Sequence, residues 1–133
     1  MDSYKFEGGE ISLIENNVIL IEYESSQQIT TQTILNLTKL RKRLLGNQPF
    51  YTITDARNGH LNLSDDAKQF LSKESNATKI RFADAILINK LAQRIEVELY
   101  ILFNKPKVKT KSFKELNNAI CWINDIKAKI TKK

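Results

Sequence analysis

The spacing of apolar residues changes several times along the chain, and each change marks an element. In "EISLIENNVILIEYES" two runs rich in Ile, Leu and Val flank Asn16 and Asn17. β-Branched residues suit a pleated surface, and asparagine accepts the positive φ of a tight turn, so this pattern predicts an antiparallel hairpin. From Thr30 to Leu45 the period lengthens. Ile34, Leu37, Leu40, Arg41 and Leu44 share one helical face, and Gly46 stands as a stop. After Pro49, "FYTITDA" reads as a short buried strand ending at Asp55. "RNGHLNL" carries loop signals. Ser64 before Asp65 and Asp66 then reads as an N-cap, with acids set against the positive end of a helix that runs through Ala67, Phe70 and Leu71.

"RFADAILIN" is nearly all apolar from Phe82 to Ile88, the pattern of a central parallel strand covered on both faces. In the next segment "IEVELYILF" alternates like a strand, while Leu91, Ala92, Ile95, Leu99, Leu102 and Phe103 fit a helical stripe. Helix is the better reading, because the stripe begins before the alternation and two parallel strands need a crossover between them. "PKVKTK" reads as a short strand. Ser112 and Glu115 form the capping-box pattern "SFKE" for a last helix that buries Phe113, Leu116, Ala119, Ile120, Ile123 and Ile126, with Trp122 at its flank. The order ββαβαβαβα predicts an α/β fold over residues 1–133 as a single domain. Its sheet is mixed and mostly parallel, with an N-terminal hairpin and helices packed on it.

Composition narrows the chemistry. A chain of 133 residues is long enough for a core without disulfides, and the lone Cys121 cannot make an internal one, which fits a reducing compartment. A lone His60 argues against a metal cluster, and "EGGE" leads into a strand without the Lys-Ser or Lys-Thr pair of a phosphate loop, so no cofactor is expected. No long uncharged run reads as a leader or a membrane span, and a cytoplasmic protein is expected. The net charge of +6 and the pI near 9.4 suit an anionic partner, but they equally suit a Lys-rich protein that binds no polyanion.

The strand ending in "TDAR", the apolar "ADAILIN" and the ending "NKPKVKTKSFKELNNAICWI" together resemble the STAS domains. These include the bacterial anti-sigma-factor antagonists and the STAS-like proteins grouped with the lipid-binding CRAL-TRIO fold. The resemblance spans nearly the whole chain and rests on packing residues, so it speaks for fold before function. In the phospho-regulated antagonists the matching strand leads into an Asp-Ser-Ser-Gly type motif with a phosphorylated serine. Here Asp55 holds the acid position, but Ala56 and Arg57 stand where the serines would be.

The candidate binding residues are Asp55, Asn58, His60 and Ser64, which lie just past a strand's carboxyl end, where open α/β sheets bind ligands. Ser64 reads as a cap and not as a phosphorylation site, since Asp65 and Asp66 would repel a phosphate. No "GxSxG" elbow accompanies Ser64 and His60, so an enzyme is not expected. Lys105, Lys107, Lys109 and Lys111 alternate along the last strand. They form either a basic stripe for phosphates or lipid headgroups, or a lysine-protected sheet edge, and the edge is the preferred reading. Aromatic residues do not interleave with these lysines, so nucleic acid is not expected. The expected partner is a protein, a second copy of the chain included. A lipid or other small apolar ligand is the alternative, and the basic charge leaves peripheral contact with a membrane open.

Overall fold

The computed structural model describes residues 2–73, 80–104 and 108–131. Eight strands and four helices are described: β1 (Ser3–Phe6), β2 (Gly9–Glu15), β3 (Val18–Tyr23), β4 (Gln27–Ile29), α1 (Thr31–Leu45), β5 (Phe50–Asp55), β6 (Leu61–Leu63), α2 (Asp65–Lys73), β7 (Arg81–Leu87), α3 (Leu91–Asn104), β8 (Lys109–Phe113) and α4 (Leu116–Thr131). Six strands form one sheet in the order β1-β2-β3-β5-β7-β8. The first three pair antiparallel, and the pairings from β3 onward are parallel. The mixed, mostly parallel sheet expected from the sequence is therefore present, with the hairpin turning at Asn17, whose φ is 53°.

Alternation along the strands splits the core into two layers. Val18, Leu20, Tyr51, Ile53, Ala83, Ala85 and Leu87 face α4, where Ala119, Ile123 and Ile126 meet them. On the opposite face Ile11, Ile19 and Phe50 meet Leu37, Leu40, Leu44 and Leu45 of α1. Arg41 is buried on that same helical stripe, its guanidinium stacked 4.6 Å from the Phe50 ring centre and donating to the Gly46 carbonyl at 3.0 Å. Thr30 caps α1 through a reciprocal box with Thr33, and Gly46 ends the helix at a φ of 65°.

The expected order needs four corrections. β1 precedes the hairpin as a further antiparallel strand. "RNGHLNL" is not all loop, because β6 pairs with β4 in a separate two-stranded parallel sheet, Gln27 beside Leu61 and Ile29 beside Leu63. "PKVKTK" overlaps the last strand only in part, since that strand begins at Lys109 and runs on through Phe113, while Pro106 and Lys107 lie outside the described residues. Ser112 therefore sits inside β8 in extended backbone, and the capping box assigned to it does not form; α4 starts at Leu116. Finally, β7 is not apolar on both sides. Ala83, Ala85 and Leu87 are fully buried against α4, whereas Asp84 interrupts the other face and Phe82 is exposed at an irregularity opposite Phe50 and Tyr51.

β8 is the sheet's edge strand, and Lys109 and Lys111 are exposed along it. Two of the four lysines thus lie where an edge is guarded against further pairing. Lys105 and Lys107 lie outside the described residues. No helix among the described residues is long and apolar enough to cross a membrane.

Candidate functional site

β5 delivers Asp55 to the carboxyl end of the sheet, and the chain then turns through Ala56 to His60. Asp55 is buried and receives three hydrogen bonds from Arg57, from Nε at 2.9 Å, from Nη2 at 2.8 Å and from the backbone N–H at 3.1 Å. Burial opposes charging this carboxylate, but the hydrogen bonds and charge of Arg57 outweigh it and hold the carboxyl below its usual range. The residue standing where a switch serine was sought therefore clamps the acid before it.

Glu22 lies directly beside Asp55 across the β3–β5 pairing, and Glu10 lies beside Glu22 across β2–β3. Burial first, then the charges of Asp55 and Glu10, push the Glu22 carboxyl up, with Arg57 opposing them. A cleft of about 180 Å³ opens here, lined by Glu10, Glu22, Tyr23, Glu24 and Asn58. Asn58 donates to the Tyr23 carbonyl at 3.4 Å. A second cleft of about 250 Å³ beside α1 is lined by Gln27, Gln28, Gln32, Thr33 and Asn36, with Phe6 and Glu7 at its rim.

The four candidate residues are brought to one end of the sheet but not into one constellation. His60 is exposed, with Nδ1 3.2 Å from Glu96 Oε2 on α3, and its backbone N–H donates to Ser26 Oγ at 2.9 Å. Ser64 is separated from it by β6. Its Oγ accepts from the Ala67 N–H at 3.2 Å, as an N-cap does, and its hydroxyl helps hold Asp66, which also accepts from Thr31 Oγ1 at 2.9 Å. Ser64 is thus engaged within the first turn of α2, and the Thr31–Asp66 bond joins α1 to α2.

Two residues that matter were not singled out from the sequence. Gln93, buried at the third position of α3, donates to the carbonyls of Ala56 at 2.9 Å and Gly59 at 3.0 Å. Its Oε1 accepts from the backbone N–H groups of Asn89 and Lys90, each at 3.1 Å. One side chain therefore caps α3 and ties it to the turn after Asp55. A Gln three residues past the helix boundary was the available signal, the back-reaching half of a capping box. The second is Asp84, whose Oδ1 accepts from Thr52 Oγ1 at 2.9 Å and Thr54 Oγ1 at 3.1 Å. Burial pushes its carboxyl up, against the charge of Arg81 and the two threonine hydrogen bonds.

α3 itself has the unusual surface. Gln93, Val97 and Ile101 turn toward the protein, while Leu91 is 73% exposed, Leu102 63%, Ile95 48% and Leu99 46%. At 100° per residue Leu91, Ile95 and Leu102 lie opposite Gln93 and Val97. Leu91, Ala92, Ile95, Leu99 and Leu102 of the stripe that suggested a crossover helix thus face outward.

This arrangement of sheet and helices is a STAS-like, SpoIIAA-like fold. A crystal structure of an uncharacterized protein of the DUF3478 family with a SpoIIAA-like fold, from Shewanella loihica PV-4, matches at a TM-score of 0.60 and 17% identity, covering 84% of this chain and 89% of that one. The chain belongs to the family described as domain of unknown function DUF7793, which matches residues 12–127. No curated protein matches it significantly.

Proposed function

We propose that this STAS-like domain is a non-enzymatic protein-interaction module with a regulatory role in a bacterial cytoplasm. The observation that carries the reading is the outward apolar face of α3. Exposed large apolar side chains are ordinary when scattered, but four on one face of one helix mark a surface that water does not suit. The polar groups at the carboxyl end are, by contrast, already engaged with one another: Asp55 with Arg57, His60 with Glu96, Ser64 with Ala67 and Asp66. Such mutual engagement supports a structural role for them.

The compartment rests on the single, exposed Cys121, which suits a reducing environment. Carriage of a lipid or other apolar small molecule has less support. Both clefts are lined by amide, hydroxyl and carboxylate groups, which do not suit an acyl chain.

A photo-reactive amino acid placed at Leu99 or at Leu102, with Asn118 on α4 as the control position, tests the reading in living cells. Cross-linked protein adducts are expected from the two α3 positions and not from the control. Absence of adducts from both α3 positions would contradict it.

A further inference from the structure

We infer that α3 is a self-association surface, and that two copies of this chain pack α3 against α3 in antiparallel fashion about a two-fold axis. The inference rests on the proposed interaction role and names its partner. Three features of α3 support it.

The first is the self-complementary spacing of the stripe. Leu91 pairs with Leu102, and Ile95 with Leu99, about midpoints that both fall at Glu96 to Val97. A two-fold axis through that point sets Leu91 of one copy beside Leu102 of the other, with Ile95 and Leu99 between. An isologous interface needs a surface that matches itself in reverse, and this one does.

The second is charge. Arg94 and Glu98 form an i,i+4 ion pair at 3.0 Å on one flank of the stripe, both well exposed. Their midpoint is Glu96, so the same axis serves them. A two-fold lying in the interface, perpendicular to the helices, brings like flanks together with reversed direction. Arg94 of each copy then meets Glu98 of the other, and two exposed intrahelical pairs become a four-charge cluster across the contact. Opposed charges of this kind fix register and direction.

The third separates a second copy from a lipid surface. A helix that lies on an anionic membrane carries Lys and Arg beside its apolar face. On α3 the charged residues are Arg94, Glu96 and Glu98, two acids to one base, although the chain as a whole carries +6. The positive charge lies elsewhere, and the acid Glu98 borders the outward face.

Four apolar side chains on one helix face make a small contact, so a reversible, concentration-dependent dimer is expected.

Sedimentation equilibrium of the purified full chain over a wide concentration range, at low salt, tests this. Wild type should show a monomer–dimer equilibrium, and Ile95→Glu should abolish it. Arg94→Glu and Glu98→Arg should each weaken the dimer at least several-fold. An equimolar mixture of those two variants should form a heterodimer tighter than either homodimer, and Arg94→Glu/Glu98→Arg in one chain should restore homodimerisation. All three altered side chains are exposed, and circular dichroism serves to check that the variants are folded. A wild type that stays monomeric throughout, a dimer indifferent to Ile95→Glu, or a mixture no tighter than its components would overturn the inference. A monomeric chain that still yields α3 cross-links to other proteins in cells would overturn self-association alone. Loss of the cross-links as well would remove the interaction reading with it.

Discussion

Arg57 shows how one side chain can replace a motif. The Asp55 carboxylate it holds is buried, and its folded pKa lies below the ordinary 3.8. The stability it contributes is present above that ordinary value and is lost as pH falls through the depressed one. Arg57→Ala should cost about 1–2 kcal/mol at pH 7, less than a fully buried pair because Arg57 is partly exposed. The difference from wild type, followed by urea denaturation, should shrink toward zero below pH 3.8. Glu22 has the opposite sign. Its folded pKa is raised above 4.5, so the folded state binds the extra proton and stability falls as pH rises through the raised value. Glu22→Gln should gain about 0.5 kcal/mol at neutral pH and nothing in acid. Ser64→Ala should lose about 1 kcal/mol, the usual value of an N-cap, without affecting partner binding.

Among the elements, those with a strong local period were legible in the sequence and those built by distant partners were not. α1 could be read because its apolar stripe and its Gly46 stop agree, and the structure adds the Thr30 cap. The choice of helix for Leu91–Asn104 rests on a stripe that begins before the alternation and on topology, since two parallel strands require a crossover. β4 and β6 escaped notice because three-residue strands carry almost no periodicity, and their pairing joins segments more than thirty residues apart. Ser112 was misread because a Ser-x-x-Glu pattern fits an N-cap locally, while the ladder with Ile86 of β7 claims the residue for the sheet. Gln93 passed as one polar residue in an apolar stripe, although it holds four backbone groups. Gln93→Leu should leave those groups unsatisfied and cost about 2–3 kcal/mol. Hydrogen exchange should then quicken at Ala56 to Gly59 and in the first turn of α3, while β7 stays protected.

At the scale of the molecule, the sheet, its two covered faces and the STAS-like arrangement follow from patterns that the sequence carries openly. The orientation of α3 does not. A 3.6-residue stripe looks the same whether it packs on the sheet or faces outward, because periodicity records that a face is apolar and not what covers it. Only the placement of Gln93, Val97 and Ile101 beneath α3 shows which side is taken. The central claim is therefore that Leu91, Ile95 and Leu102 serve binding and not the core. The measurement that tests it most directly is urea denaturation of Leu91→Gln/Ile95→Gln/Leu102→Gln at a concentration where the wild type is monomeric. Glutamine keeps helix propensity close to that of leucine. Surface changes of this kind fall within about 0.5 kcal/mol each, and the unfolding free energy should stay near that of wild type. A combined loss beyond about 5 kcal/mol, as expected for truncating several core residues, would show that these side chains hold the fold together and would contradict the account.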